Sequence, residues 1–385
     1  MFPFGTRRSA KRAVRRGAAQ LTKLLTAAAK PPRSAVRTKP KAAAKVAGIK
    51  KAGAPKTGTP KTGTPKTGTP KTGATVRARK ADASRKAPGR FVAIDQLRVH
   101  TIVRGRGRPV VLLHGNGTMA EDFAICGLIE RLATRYRVIA IDRPGFGHTA
   151  RPRARIWTAV EQAALVHRVL EALKVERPLV VGHSWGTLVA LALAAGGLRE
   201  LRGLVLLSGY YYPSRRADVT LSKTLAMPGI GEAARAMMNP AMGRLVAAQA
   251  FRHVFRPQAV PPRFEAEFPV EIAMGATQLR ASTEDASTMN TAASGLQQTY
   301  PRLQLPVAIL TGDADAVVDV DEQSRRLHGE IAGSTLKVLP GLGHMIHYAG
   351  IGPVERAVDD LMAPAGKAPK APRMSTPVGA VPGRA

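Results

Sequence analysis

The sequence predicts an α/β fold, a mostly parallel central sheet with helices on both faces. Three observations predict it. Short apolar runs recur through residues 91–362 and alternate with stretches of helical spacing. Several runs are apolar at every position, the mark of strands covered on both faces. His-Gly, Asp or Gly follows the last apolar residue of successive runs, where such sheets collect their chemistry.

Phe91–Asp95 and Leu97–Val103 read as a strand pair. Pro109–Leu113 is an apolar run ending in His114-Gly115, and residues 120–134 have helical spacing. Val138–Ile141 ends in Asp142, and residues 157–174 are helical. Leu179–Val181 ends in Gly182, Leu188–Ala195 is helical, and Leu204–Leu207 is another buried strand. After a gap the alternation resumes with Val307–Leu310, a helix near 321–332, Leu336–Leu339 and a helix over 353–362. The gap, about 214–300, has no clear strand and holds Pro228, Pro240, Pro257, Pro261, Pro262 and Pro269. Helical stretches near 231–253 and 283–297 make it a helical insertion over the strand ends, a lid.

Charge divides the chain differently. Of 385 residues and a formal +33, residues 1–90 hold 25 Lys or Arg against one acid, Asp82. Residues 363–385 add Lys367, Lys370, Arg373 and Arg384, which leaves +5 for 91–362. The ends are therefore read as disordered basic tails around one domain at 91–362. Residues 55–73 repeat Pro-Lys-Thr-Gly-Thr, with almost nothing apolar to offset the chain entropy of ordering. Residues 7–29 allow a basic amphipathic helix with Val14, Ala18, Leu21 and Leu25 on one face. The arm fits a nucleic acid or other polyanion, an anionic membrane or granule surface, an organelle-import segment, or no fixed partner at all.

The one cysteine, Cys126, forms no intramolecular disulfide, which suits a reducing compartment. The N-terminus lacks the long apolar run of a secretory signal. Residues 178–198 are interrupted by His183, Ser184 and Thr187 and read as strand, turn and buried helix, so no transmembrane helix is expected. A cytoplasmic location is expected, or a peripheral one at a membrane, granule or nucleoid through the arm. No cofactor is expected. No metal site is either, because His344 and His347 lack further ligands at suitable spacing.

The residues that carry chemistry begin with Gly182-His183-Ser184-Trp185-Gly186, which follows a buried strand and opens a helix. This is the context of a G-x-S-x-G nucleophile elbow, a tight turn that exposes the serine beside helix-start N–H groups. A serine hydroxyl needs a base to take its proton, and His344 is the candidate. Further motifs lie at other strand ends: His114-Gly115-Asn116-Gly117, Asp142-Arg143-Pro144-Gly145-Phe146-Gly147-His148, Thr311 to Val318, and Gly341-Leu342-Gly343-His344. Together these resemble the α/β-hydrolase superfamily over nearly all of 91–362, in its serine-nucleophile form with a helical lid. His148-Thr149 stands where that family has a variable residue and Ser.

The resemblance implies a Ser184, Asp315, His344 triad, in the family's chain order. Asp315 would orient His344, with Asp313 the rival acid and His347 the rival base. The backbone N–H groups of Asn116 and Trp185 are the implied oxyanion donors. His114, His148 and His183 read as structural, with His114 and His183 bonded to backbone near the strand ends.

Epoxide hydrolases and haloalkane dehalogenases in the superfamily have similar loops but carry Asp at the elbow. Ser184 instead favours acyl chemistry on an ester, thioester, amide or the carbon–carbon bond of a 1,3-diketone-like substrate. Cofactor-free haloperoxidase-like members share the pattern. Met227, Met237, Met238, Met242 and Phe251 in the lid suggest an apolar small-molecule acyl substrate, although helical spacing also suits them to a lid core. The competing class is a polyanion-binding protein with the hydrolase fold as scaffold, since a fold does not fix an activity.

Overall fold

Neighbouring residues of each interior strand face opposite sides of one sheet, and both sides are buried. The computed structural model describes residues 87–197, 200–214 and 240–363. The chain divides between Ala83 and Ser84, and every described residue lies in the second unit. The basic arm, its repeat, most of the C-terminal tail and residues 215–239, with Met227, Met237 and Met238, lie outside the described residues.

The strands are β1 (Arg90–Ile94), β2 (Leu97–Arg104), β3 (Pro109–Leu113), β4 (Arg137–Ile141), β5 (Leu179–His183), β6 (Gly203–Leu207), β7 (Val307–Gly312) and β8 (Thr335–Leu339). They form one sheet in the order β1-β2-β4-β3-β5-β6-β7-β8. β1 pairs with β2 and β2 with β4 antiparallel, and every other pairing is parallel. In register, Leu112 stands between Ala140 and Val181, and Gly182 between Leu113 and Leu206. The strand order reverses at β3, where such sheets open a crevice at their carboxyl ends.

Period-two alternation splits the core. Val111, Leu113, Ile139, Ile141, Val180, Leu204 and Ile309 face helices α3 (Ala159–Ala172) and α4 (Gly186–Ala195). Val110, Leu112, Val138, Ala140, Val181, Val205 and Leu310 face α2 (Leu128–Ala133) and α11 (Ile351–Met362). Burying each such side chain contributes about 1.5–3 kcal/mol. Helix α4 is apolar all round because it is covered all round, with Gly186 through Leu193 buried. Among the described residues no helix is long and apolar enough to cross a membrane.

Residues 120–134 form two helices rather than one, α1 (Glu121–Ile125) and α2, because Gly127 adopts φ 84° between them. A left-handed glycine ends one helix and re-aims the next. The helix expected near 321–332 is a π-helical turn over Val320–Arg325 continued by α9 (Arg326–Glu330). The segment between β6 and β7 holds α5 (Pro240–Phe255), α6 (Pro262–Glu267), α7 (Val270–Ala273) and α8 (Ala276–Leu296). α8 is longer than the expected 283–297. Phe251 packs edge-on against Phe264 and Phe268, in a cluster with Met119, Ile125, Phe255 and Met345. The short α10 (Ile346–Ala349) precedes α11.

Candidate active site

The turn between β5 and α4 holds Ser184 at φ 51°. A non-glycine residue there stores of order 1–3 kcal/mol, so its surroundings must hold it. They do so through the Ser184 N–H, which donates to the Leu207 carbonyl at 2.8 Å. The Ser184 carbonyl accepts from the Thr187 N–H at 3.0 Å and the Thr187 hydroxyl at 2.6 Å. The flanking glycines leave the room this needs. A Cβ at Gly186 would overlap the Leu113 carbonyl oxygen and lie 2.6 Å from that of His114. At Gly182 it would lie 2.8 Å from the Gly186 carbonyl oxygen.

The loop after β8 brings His344 to this turn. Its Nε2 is 2.9 Å from Ser184 Oγ, and its Nδ1 is 2.9 Å from Asp315 Oδ2. Asp315 comes from the loop after β7, and its other oxygen accepts the N–H groups of Val317 at 2.7 Å and Val318 at 2.9 Å. Burial pushes its carboxyl upward, but the His344 charge and these hydrogen bonds outweigh it and hold it below the ordinary carboxylate value. Ser184 and His344 are both buried, and the Asp315 side chain has no exposed surface.

The rivals are engaged elsewhere. Asp313 accepts the Gly341 N–H at 2.6 Å and so braces the glycine turn before His344. His347 Nε2 is 3.0 Å from the buried Asp122 carboxylate, which also takes the Tyr348 hydroxyl. His183 sits beneath His344, with Nε2 3.2 Å from the His344 carbonyl oxygen. Burial, then the neighbouring His347 and His344, keep His183 far below the ordinary imidazole value and hence neutral. His114 donates from Nδ1 to the Gly115 carbonyl at 2.8 Å and accepts the Arg143 N–H at Nε2, at 3.0 Å. Burial first and the Arg143 charge second lower its pKa to about 3, as this neutral tautomer requires. The His148 N–H donates to Asp142 at 2.9 Å.

The loop after β3 runs against Ser184, since a Cβ on Gly115 would lie 3.1 Å from Ser184 Cβ. Asn116 follows in that loop, and its side-chain amide donates to the Ser282 carbonyl on α8 at 3.0 Å. Trp185 is buried, with its indole N–H donating to the Asp285 carbonyl at 3.0 Å. Among the described residues, no group of three or more His, Cys, Asp or Glu is placed to hold a metal ion.

A sheet of this order has counterparts among known proteins. The model of the α/β-hydrolase fold family matches residues 108–350. The chain belongs to the α/β-hydrolase fold family. Haloalkane dehalogenase 2 of Mycobacterium tuberculosis is 30% identical over 134 residues, 34% of this chain and 46% of that protein. A 2-hydroxy-6-oxo-2,4-heptadienoate hydrolase of Pseudomonas putida is 34% identical over 120 residues, 31% of this chain and 44% of that protein. The matches therefore span less than half the length of these relatives. Among solved structures, an esterase from Exiguobacterium antarcticum superposes with a TM-score of 0.58 at 21% identity, covering 71% of this chain and 100% of that one. That likeness is one of fold.

One part of this α/β-hydrolase site escaped the sequence reading. Helix α8 is tied by polar groups to the loops after β3, β4 and β6. Gln278 accepts the Gly147 N–H at 2.9 Å and donates to the Gly117 carbonyl at 3.2 Å. Asp285 pairs with Arg143 at 2.5 Å and Arg151 at 3.1 Å, with neither Asp285 nor Arg143 exposed. Asn290 binds both the N–H and the carbonyl of Ser214, at 3.1 and 2.8 Å. The available signal was Gln278, Ser282 and Asp285, a polar stripe at helical spacing.

Proposed function

We propose that this protein is a serine hydrolase acting on an ester or related acyl substrate through an acyl-enzyme. The observation that carries the reading is the relay from Ser184 to His344 to Asp315, with both links 2.9 Å. Such a constellation is recognised by its geometry and roles.

His344 takes the Ser184 proton at Nε2 as Oγ bonds to the substrate carbonyl carbon. The carbonyl electron pair moves onto oxygen, and the N–H groups of Asn116 and Trp185 receive the oxyanion. Collapse breaks the bond to the leaving alcohol, and His344 returns its proton to that oxygen. Water then attacks the acyl carbon by the same route, releasing the acid and restoring Ser184. Asp315 stabilises the imidazolium at both stages and stays ionised, in keeping with its lowered pKa. A haloalkane offers Ser184 no carbonyl. Displacement would leave a stable serine ether, so acyl substrates suit this nucleophile.

The segment 214–300 acts in this reading as a lid, with α8 as its base over the strand ends. Its Phe251, Phe255, Phe264 and Phe268 pack against one another as an apolar core of that segment.

The test is a fluorophosphonate probe on the purified full chain and on Ser184→Ala, followed by p-nitrophenyl esters of short acyl chains. Labelling of the parent alone, with ester turnover, supports the proposal. A folded parent that neither labels nor turns over overturns it and favours a binding role for the scaffold and its basic arm.

A further inference from the structure

Arg143 is a fully buried guanidinium whose donors converge on the loop before Asn116. Its Nε donates to the His114 carbonyl at 3.0 Å and its Nη2 to the Gly115 carbonyl at 2.9 Å. Nη1 donates to Gln162 at 3.0 Å and to Asp285 at 2.5 Å. The guanidinium also lies 4.6 Å from the Trp185 ring and 4.4 Å from that of Phe146.

The Gly115 contact bears directly on the reaction proposed above. The only cis peptide among the described residues is Arg256–Pro257, so the Gly115–Asn116 peptide is trans. In a planar trans peptide the carbonyl and the following N–H point in opposite directions. Fixing the Gly115 oxygen therefore fixes the Asn116 N–H. A cationic donor on that oxygen also polarises the amide and strengthens its N–H as a donor. The His114 Nδ1–H reaches the same oxygen at 2.8 Å, so the peptide plane is held from two directions.

The other implied donor is the Trp185 N–H, and Arg143 together with Asp285 holds the Trp185 side chain. Arg143 stacks on its ring, while the Asp285 carbonyl accepts its indole N–H. Asp285 in turn fixes the Arg143 guanidinium, and Gln162 bridges the two by accepting from Arg143 and donating to Asp285 at 3.1 Å.

We propose that Arg143 is a positioning residue that orients both oxyanion donors, and that Asp285 on α8 holds it there, so that seating of α8 and assembly of the oxyanion site are coupled. This rests on the serine-hydrolase reading. A residue that only filled space or balanced charge would have no need to grip the peptide that presents Asn116. Neither residue touches the substrate, so their effect falls on the transition state rather than on binding.

The experiment compares the parent with Arg143→Lys and with the double variant Arg143→Met/Asp285→Leu. Lysine keeps the charge but loses the planar fork that spans two carbonyls. The double variant removes both buried charges together, which preserves folding far better than removing one. It leaves Arg151 paired with Glu284 at 2.6 Å. Active sites are counted by fluorophosphonate labelling, and kcat per labelled site is measured with a p-nitrophenyl ester.

The expected result is a kcat per site lower by about 10- to 100-fold in both variants, short of the 10²- to 10³-fold loss of a whole donor. KM should stay within about threefold. A trifluoromethyl ketone, whose Ser184 adduct carries an oxyanion, should lose affinity by the same factor, and the matching alcohol should not. A purely structural role would lower the number of labelled sites and leave kcat per site unchanged. That result in either folded variant overturns the proposal. A folded parent that does not label overturns the serine-hydrolase reading and this proposal with it. Labelling of the parent with unchanged variants overturns this proposal alone.

Discussion

Asp315 and Asp313 stand two residues apart on the loop after β7, yet only Asp315 faces His344. Asp315 Oδ2 is 2.9 Å from His344 Nδ1, whereas Asp313 accepts the Gly341 N–H at 2.6 Å. One carboxylate orients the imidazole, and the other braces the backbone turn that delivers it. Asp315→Asn should keep the fold and lower kcat by about 10⁴-fold, because the amide favours the wrong imidazole tautomer. Asp313→Ala should leave kcat within about tenfold and lower stability by about 1 kcal/mol, the worth of one hydrogen bond. Ester kinetics and urea midpoints on both variants check this. Equal kcat losses would remove the distinction.

The elbow makes a prediction about space. The Cβ of Gly186→Ala would press into the Leu113 and His114 carbonyls at the end of β3, and neither can move without shifting the strand. A loss of about 3 kcal/mol is expected, at the upper end of overpacking effects. Gly329 gives the contrast: it is exposed in α9 and its Cβ would meet open space. Gly329→Ala should raise stability by about 1 kcal/mol through helix propensity. Denaturant midpoints decide both.

Asp142 gives a pH dependence. Its carboxylate accepts the Ala120 N–H at 2.7 Å and the His148 N–H at 2.9 Å, and lies 2.7 Å from His100 Nδ1. Burial acts to raise its pKa, but the His100 contact and the other favourable partners prevail and lower it. A folded-state pKa below the unfolded one stabilises the protein above the unfolded value of about 3.9. That stability is lost as pH falls through the folded pKa. Asp315 is shifted in the same direction and adds to the same window. Unfolding free energy should therefore fall below about pH 4. In Asp142→Asn that fall should be shallower by up to one proton, on a base stability about 3 kcal/mol lower. An unchanged slope in the variant would rule out this assignment.

The sheet was legible because its strands are buried on both faces, and continuous runs such as Val110–Leu113 and Leu204–Leu207 have few other readings in a chain with interleaved helices. The elbow was legible because two glycines and a serine between a buried strand and an apolar helix have few alternative uses. The break at Gly127 was harder to see, since the apolar spacing of 120–134 runs through it, and a left-handed φ leaves no trace in a periodicity. The Arg143–Asp285 pair could not be read at all. Its members are 142 residues apart. Arg143 belongs to the motif after β4 and Asp285 to a polar helix stripe, but nothing local joins the two, and only the packing of α8 onto the strand ends removes both from water. Burial of that kind is a property of tertiary contact and is not written in local sequence.

The three clustered histidines supply the last prediction. His347 lies 4.4 Å, ring to ring, from His183, which in turn lies 5.1 Å from His344. Proximity alone would let His347 stand in as the base. Its Nε2 is committed to Asp122, however, and the Tyr348 hydroxyl occupies the other oxygen of that carboxylate. Asp122 is buried on the far side of this cluster, so the pair closes α1 against α10. His347→Gln should lower stability by about 1–3 kcal/mol, the penalty of a weakened buried hydrogen bond. Its kcat per labelled site should stay within about tenfold of the parent. His344→Gln should keep stability within about 1 kcal/mol and lose activity by about 10⁶-fold, since among the described residues no other imidazole hydrogen-bonds to Ser184. If His347→Gln instead loses activity per labelled site as severely as His344→Gln while staying folded, the base has been assigned to the wrong ring.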